Sequence, residues 1–144
     1  MTDGAHALER FVDAQAGVHD AALGELRRGR KTSHWMWFVF PQLRGLGRSP
    51  TAQRYALDDL AAARAYLAHP VLGPRLLEAT ATVAAAPARS VEDLLGGVDA
   101  RKLRSSMTLF ARAAADPAPF RAVLDRWYAG TEDPVTVRLL EAGA

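Results

Sequence analysis

Apolar residues recur at steps of three and four through the first part of the chain, which is the spacing of one face of an α-helix. They are Leu8, Phe11, Val12, Val18, Ala22, Leu23 and Leu26. Gly29 follows in the position of a helix stop. The pattern predicts one amphipathic helix over residues 5–28.

Proline marks the starts of several later helices, because a first helical turn tolerates its missing N–H. It follows Ser49, His69, Asp116 and Asp133. Ser90 opens a weak capping box, and Asp99 is expected to cap the segment that runs to Ala115. Gly130 is expected to close the helix that precedes it. Sustained alternation of period two and hairpin turns are both missing, so the fold class predicted is all-α. We expect a compact single-domain bundle of about seven helices over residues 1–144.

Residues 35–40 read Trp-Met-Trp-Phe-Val-Phe, which suits a buried strand as well as a buried short helix. The neighbouring helices favour a helix. We expect this segment to be central and to pack against the helix that begins near Asp99. The predicted core includes Phe11, Leu26, Trp37, Phe38, Phe40, Leu60, Leu67, Leu76, Leu103, Met107, Phe110, Leu124 and Trp127.

Composition narrows the class of protein. A chain of 144 residues with 49% hydrophobic content is long enough to bury a core. It has no cysteine, which excludes disulfides and a cysteine nucleophile and fits a reducing compartment. The first residues lack the features of a signal peptide, and the apolar runs are too short to span a bilayer. We therefore expect a cytoplasmic protein.

Charge adds one sharper observation. The formal net charge is only +2, with 16 acidic residues spread among 18 basic ones, so general nucleic-acid binding is not indicated. Only two of the basic residues are lysine, Lys31 and Lys102. If GC-rich coding drift has replaced other lysines by arginine, these two can mark positions that need a compact ammonium group. Chance survival is the alternative.

Two segments are dense in polar and aromatic residues. Residues 31–42 read Lys-Thr-Ser-His-Trp-Met-Trp-Phe-Val-Phe-Pro-Gln, with Gly45-Leu46-Gly47 and Ser49 soon after, and residues 99–110 read Asp-Ala-Arg-Lys-Leu-Arg-Ser-Ser-Met-Thr-Leu-Phe. Most of these positions resemble the signature of an uncharacterised bacterial family, the domain of unknown function 1810. The resemblance also includes Arg10-Phe11-Val12, Ala14-Gln15, Tyr66-Leu67 and His69-Pro70.

This resemblance covers nearly the whole chain and implies a compact helical fold, but no particular activity. The sequence departs from the family pattern at His19, where tyrosine is expected, and at Ala62, where glutamate is expected. Such proteins are sometimes described as calpastatin-like. An inhibitor of that type is long, disordered and repetitive, which this chain is not.

The dense segments also predict a binding pocket. Aromatic rings with polar groups adjoin Lys31 and a Gly-x-Gly turn, whose bare backbone a ligand can approach closely. On a helix, Asp99, Lys102 and Ser106 lie three and four residues apart along the border of the apolar stripe. The residues expected to bind the ligand are Lys31, His34, Trp35, Trp37, Gln42, Lys102, Ser105 and Ser106. His34 and Asp99 are the candidates for proton transfer.

Each of these residues also has a purely structural interpretation. The aromatic residues can anchor the core, and Lys31 belongs to a basic helix end. Asp99 can be a cap that pairs with Lys102, and the two serines can satisfy backbone carbonyls. Gln15 and Arg10 lie near the apolar face of the first helix, where either can help to line the same cavity.

Two classes of function remain open. The first is an enzyme, with a hydrolase considered, that binds or processes a small anionic nucleotide-like or ADP-ribose-like ligand. This hypothesis leans on a similarity in style to the NADAR group of small helical proteins, which process ADP-ribose derivatives, by analogy and not by matching residues. The second is a non-catalytic interaction or ligand-binding domain with an exposed apolar patch.

The motifs that are missing narrow both classes. Metal-ligand spacings, phosphate-binding glycine loops and a serine nucleophile elbow are all lacking, so neither a metal nor a cofactor is predicted. Nucleic acid is not expected as a partner, because the basic and aromatic stretches are short. A membrane is not expected either, because the apolar runs are too short to span a bilayer. The oligomeric state stays open.

Overall fold

Ten α-helices follow one another along the part of the chain that the structure describes, and no β-strand occurs in that part. This computed structural model describes the backbone of residues 3–144 and the side chains from residue 8 onward. The helices are α1 (Asp3–Gln15), α2 (His19–Arg27), α3 (Met36–Val39), α4 (Pro50–Arg54), α5 (Leu60–Ala68), α6 (Leu72–Ala84), α7 (Val91–Leu95), α8 (Gly97–Ala113), α9 (Ala118–Tyr128) and α10 (Pro134–Glu141). The predicted all-α fold is confirmed.

The helix predicted over residues 5–28 is in fact two helices. α1 ends at Gln15, α2 begins at His19, and Gly17 between them has a φ of 73°. Side chains disfavour that left-handed backbone, so glycine permits the turn. Val18 keeps the apolar spacing across it, which explains why the pattern predicts a single helix. This break, and the short helices α3, α4 and α7, account for the larger number of helices.

Most of the predicted helix starts are confirmed. Ser49, Ser90 and Asp133 each accept a hydrogen bond from the backbone N–H three residues ahead. The capping role expected of Asp99 is wrong. α8 begins at Gly97, so Asp99 lies inside its first turn, where its carboxylate pairs with lysine side chains.

The core surrounds α8, which packs against α3, α5, α7, α9 and α10. The predicted core residues that are buried are Phe11, Leu26, Phe40, Leu76, Leu103, Met107, Phe110 and Leu124. Those that are only partly buried are Trp37, Phe38, Leu60, Leu67 and Trp127. Trp35, which the sequence assigns to a pocket, is instead 0% exposed.

The aromatic segment forms the short helix α3, so the helical interpretation is correct. It packs between α1 and α8. The loop after it is held by a backbone bridge in which Leu57 N donates to Gln42 O at 2.9 Å and Arg44 N donates to Leu57 O at 2.8 Å. This bridge fixes the backbone of Gln42. Among the described helices, none combines the length and the apolar character that crossing a bilayer requires.

Candidate functional site

A buried carboxylate organises the segment between α2 and α3. Glu25 is 5% exposed and accepts hydrogen bonds from Thr32 N at 2.7 Å, Ser33 N at 3.0 Å and Trp35 Nε1 at 2.9 Å. The hydroxyl of Ser33 donates to the same carboxylate. Burial raises the pKa of Glu25, but the hydrogen bonds outweigh burial and lower the pKa from 4.5 to about 2. The charged carboxylate therefore fixes the course of this segment.

Both lysines of the chain reach the carboxylate of Asp99. Lys31 Nζ is 2.8 Å from Asp99 Oδ2, and Lys102 Nζ is 3.4 Å from Asp99 Oδ1. Each ammonium also lies over an indole ring: Lys31 Nζ is 5.1 Å from the Trp35 ring centroid, and Lys102 Nζ is 4.6 Å from that of Trp37. Cation–π attraction adds to the ion pairs at such distances. We call these five residues the lysine cluster.

The two lysines are not equivalent partners of Asp99. The exposed fraction of the side chain is 9% for Lys31, 17% for Asp99 and 20% for Lys102. With the shorter contact and the deeper burial, Lys31 is the main counter-ion of the carboxylate. Lys102 shares a carboxylate that is already paired, so the cluster carries one positive charge in excess of its negative charge.

An open cleft of about 270 Å³ adjoins the lysine cluster. Its walls come from the loop after α3, the first half of α8 and the start of α10. Lys102 belongs to both the cluster and the cleft. The lining residues are Gln42, Leu46, Gly47, Val98, Arg101, Lys102, Ser105, Asp133 and Val135.

Two residues of the cleft wall have structural reasons for their identity. A Cβ atom at Gly47 would lie 2.5 Å from Ala52 Cβ, so close packing of the loop requires glycine there. Asp133 caps α10, and its Oδ2 accepts hydrogen bonds from Thr136 N at 2.9 Å and from Thr136 Oγ1 at 2.6 Å. These bonds hold the carboxylate of Asp133 toward its own helix.

The structure brings together some of the predicted site residues and separates others. Gln42, Lys102 and Ser105 line the cleft, and Lys31, Trp35 and Trp37 lie in the lysine cluster, in which Trp35 is 0% exposed. The remaining two lie elsewhere: Ser106 is 0% exposed, and His34 is exposed and is not among the residues that line the cleft. Among the described residues, Ser106 Oγ has no hydrogen-bond partner.

Gln15 and Arg10, which were expected to help line the same cavity, do not. The amide of Gln15 donates to Phe38 O at 2.7 Å and to Tyr66 Oη at 2.9 Å, inside the junction of α1, α3 and α5. The guanidinium of Arg10 donates to the backbone oxygens of Arg54 and Ala56. Both residues satisfy polar groups within the fold.

Sequence reasoning missed Glu25 and four of the lining residues, Val98, Arg101, Asp133 and Val135. A signal was available for Glu25, because it lies between Leu23 and Leu26 on the apolar face of a helix. The valines carried no signal, since single surface valines are common.

The lining of the cleft combines two cations, Lys102 and Arg101, with the carboxamide of Gln42, the hydroxyl of Ser105 and the carboxylate of Asp133. The cations and the carboxamide are hydrogen-bond donors. Within the described part of the chain, no three His, Asp or Glu side chains are grouped closely enough to hold a metal ion.

Comparisons with known proteins agree on one family. Residues 5–140 match the family described as "Protein of unknown function (DUF1810)". The structure is similar to the crystal structure of a conserved hypothetical protein from Mycobacterium tuberculosis, with a TM-score of 0.91 and 55% sequence identity over 93% of this chain and 96% of that chain. No curated protein matches. The motifs, the fold and both matches show that this chain belongs to the DUF1810 family.

Proposed function

We propose that this chain binds a small anionic ligand, one that carries a phosphate or carboxylate group, in the cleft beside Lys102. The observation that carries the proposal is that Lys31 and Lys102 share the single carboxylate of Asp99. Lys31 makes the shorter contact, and the charge of Lys102 is therefore only partly balanced at the cleft wall. An anion in the cleft gains a charge-assisted hydrogen bond from that ammonium group.

Neighbouring side chains supply further donors. Arg101 is exposed and lines the cleft, and the carboxamide of Gln42 extends from a backbone that the bridge to Leu57 holds in place. The hydroxyl of Ser105 donates its one hydrogen to Arg101 O at 3.1 Å, so it can donate to a ligand oxygen only by turning away from that carbonyl. Of the two carboxylates nearby, Asp99 pairs with lysine and Asp133 is held by Thr136.

The geometry favours binding over catalysis. Both carboxylate oxygens of Asp99 face ammonium groups, so the carboxylate is engaged in ion pairs within the protein. His34 is not among the lining residues, so neither candidate for proton transfer is placed to act on a ligand in the cleft. The alternative, a protein-interaction domain, predicts no dependence of ligand binding on Lys102.

Thermal unfolding in the presence of anions tests this proposal. Wild-type protein is heated with inorganic phosphate, methyl phosphate or acetate, each compared with chloride at equal ionic strength. A ligand at about 100 times its Kd stabilises the folded state by about 2.7 kcal/mol, which raises the melting temperature measurably. We expect such a rise for wild type, and a loss of it in Lys102→Met.

The matched control is Arg89→Met, which removes one positive charge from an exposed position outside the cleft. This variant should keep the wild-type response to phosphate. The Lys102→Arg variant tests whether phosphate binding requires the compact ammonium group or only a positive charge. If Lys102→Met and Arg89→Met lose the phosphate-induced rise in melting temperature equally, the rise depends on net charge alone. If wild type shows no rise, the interaction domain is the better hypothesis.

A further inference from the structure

We infer that the ligand of this cleft is a small amphipathic molecule, with a phosphate or carboxylate head and a short aliphatic portion. The inference rests on the proposed function and names the ligand class for the same cleft. It starts from the distribution of exposed apolar residues. Among the described residues, the large hydrophobic side chains exposed to solvent are Leu77 at 45%, Val98 at 60% and Val135 at 43%.

Two of these three residues lie in the same cleft. Val98 is in the first turn of α8 and Val135 is in the first turn of α10, and both line the cleft together with Leu46. Exposed valines on separate helices that share one concave surface present a pair of aliphatic walls. A ligand that places CH₂ groups between them removes apolar surface from water on both sides.

The cations of the cleft lie on the same helix as one of these walls. Lys102 follows Val98 by one helical turn on α8, and Ser105 follows it by about two turns. The head of a ligand held at Lys102 therefore has its next atoms near the valines. This arrangement of a cationic part beside an aliphatic part matches an amphipathic anion.

The size of the cleft favours a small ligand. The volume of the cleft, about 270 Å³, lies just below the roughly 300–1,000 Å³ of pockets that take drug-sized ligands. A phosphate group with a short alkyl chain suits a site of this size. A whole ADP-ribose molecule is much larger and would extend into solvent.

The tryptophans do not provide a stacking platform for a base. Trp35 is 0% exposed, and the ammonium of Lys102 lies 4.6 Å from the ring centroid of Trp37. The apolar surface that the cleft offers to a ligand is therefore aliphatic. This distinguishes the inferred ligand from the nucleotide-like molecule that the sequence favours.

Isothermal titration with a series of monoalkyl phosphates tests the inference. Methyl, butyl, hexyl and octyl phosphate are compared with AMP, below the micelle concentration of each compound. Affinity should rise with chain length by up to about fourfold for each methylene that becomes buried, and it should level off once the cleft is filled. AMP should bind no more tightly than butyl phosphate.

Exposed positions provide variants that should leave the fold intact. Val98→Ser and Val135→Ser should each lose several-fold of the gain in affinity between methyl and hexyl phosphate. Leu77→Ser is the matched control, because the exposed fraction of Leu77, 45%, is close to the 43% of Val135 and Leu77 lies outside the cleft. It should behave as wild type throughout the series.

The outcomes separate this inference from the proposed function. Binding of methyl phosphate that is lost in Lys102→Met, with no gain from a longer chain, would overturn the inference and leave the proposed function standing. Tenfold tighter binding of AMP than of hexyl phosphate would do the same. If neither a phosphate nor a carboxylate such as acetate binds, or if Lys102→Met binds as wild type does, both are wrong. Binding to phosphatidic acid vesicles without binding of soluble alkyl phosphates would also contradict the inference, because the protein would then bind the phosphate only at a lipid surface.

Discussion

Lys31 and Lys102 contact the same carboxylate but contribute differently to the molecule. Lys31 has 9% of its side chain exposed and lies 2.8 Å from Asp99, whereas Lys102 has 20% exposed and lies 3.4 Å away. Loss of one partner from a buried ion pair leaves the other charge without compensation. The deeper lysine should therefore matter more for stability, and the shallower one for binding.

We predict that Lys31→Met lowers the free energy of unfolding by about 2 kcal/mol, because it leaves the partly buried Asp99 with a single, weaker counter-ion. Lys102→Met should cost about 1 kcal/mol or less, since Lys31 still neutralises the carboxylate. Urea denaturation at neutral pH measures both values. Equal costs for the two variants would mean that the lysines share Asp99 evenly, contrary to our account.

One carboxylate anchors the segment between α2 and α3. Glu25 gathers the backbone N–H groups of Thr32 and Ser33, the hydroxyl of Ser33 and the indole N–H of Trp35. Lys31 precedes these residues directly, so the hydrogen bonds of Glu25 also set its position. A change in the charge of Glu25 should weaken all of these hydrogen bonds and so loosen the whole segment.

Acid should weaken this anchor. The pKa of Glu25 is lowered from 4.5 to about 2 in the folded protein, so its contribution is present above pH 4.5 and is lost as the pH falls from 4.5 toward 2. Glu25→Gln should cost about 2–3 kcal/mol at neutral pH, the scale of hydrogen bonds to a charged group. It should also flatten the decline of stability over that pH range. Urea denaturation of both proteins at several pH values checks this, and parallel declines would assign the acid sensitivity to other groups.

The turns at the two ends of α2 make different demands on glycine. Gly17 has a φ of 73° with nothing within 4 Å of an added Cβ, while Gly29 has a φ of 83° and its added Cβ would lie 2.3 Å from Pro87 O. Gly97 combines an ordinary φ with open space. These three positions separate the cost of backbone strain from the cost of a steric clash.

We predict that Gly17→Ala costs about 1 kcal/mol, from the left-handed backbone alone. Gly29→Ala should cost more than about 2 kcal/mol, because the backbone near Pro87 must also move. Gly97→Ala should change stability by less than about 0.5 kcal/mol. Thermal unfolding of the three variants gives the order directly. A Gly29→Ala variant as stable as Gly17→Ala would show that the backbone near Pro87 can move at little cost in free energy.

For the molecule as a whole, local signals predicted the helices well and long-range contacts poorly. Proline and capping residues such as Ser90 and Asp133 act within one helical turn, so the sequence shows where their helices begin. The pairing of Lys31 with Asp99 joins distant parts of the chain, and only the scarcity of lysine hinted at it. Val98 and Val135 line one cleft because α10 packs on α8, and no local pattern encodes that packing.

NMR of the lysine side chains shows whether Lys102, and not Lys31, receives an anion. The chain has two lysines, so protein labelled with 13C at lysine Cε gives two lysine signals, and Lys102→Arg removes one and assigns both. During a titration with methyl phosphate, we expect the chemical shift of the Lys102 signal to change and then saturate, while that of Lys31 changes little. Chloride at equal ionic strength should cause no comparable change. A Lys102 signal that stays in place, or equal shifts of both signals with either salt, would contradict this expectation.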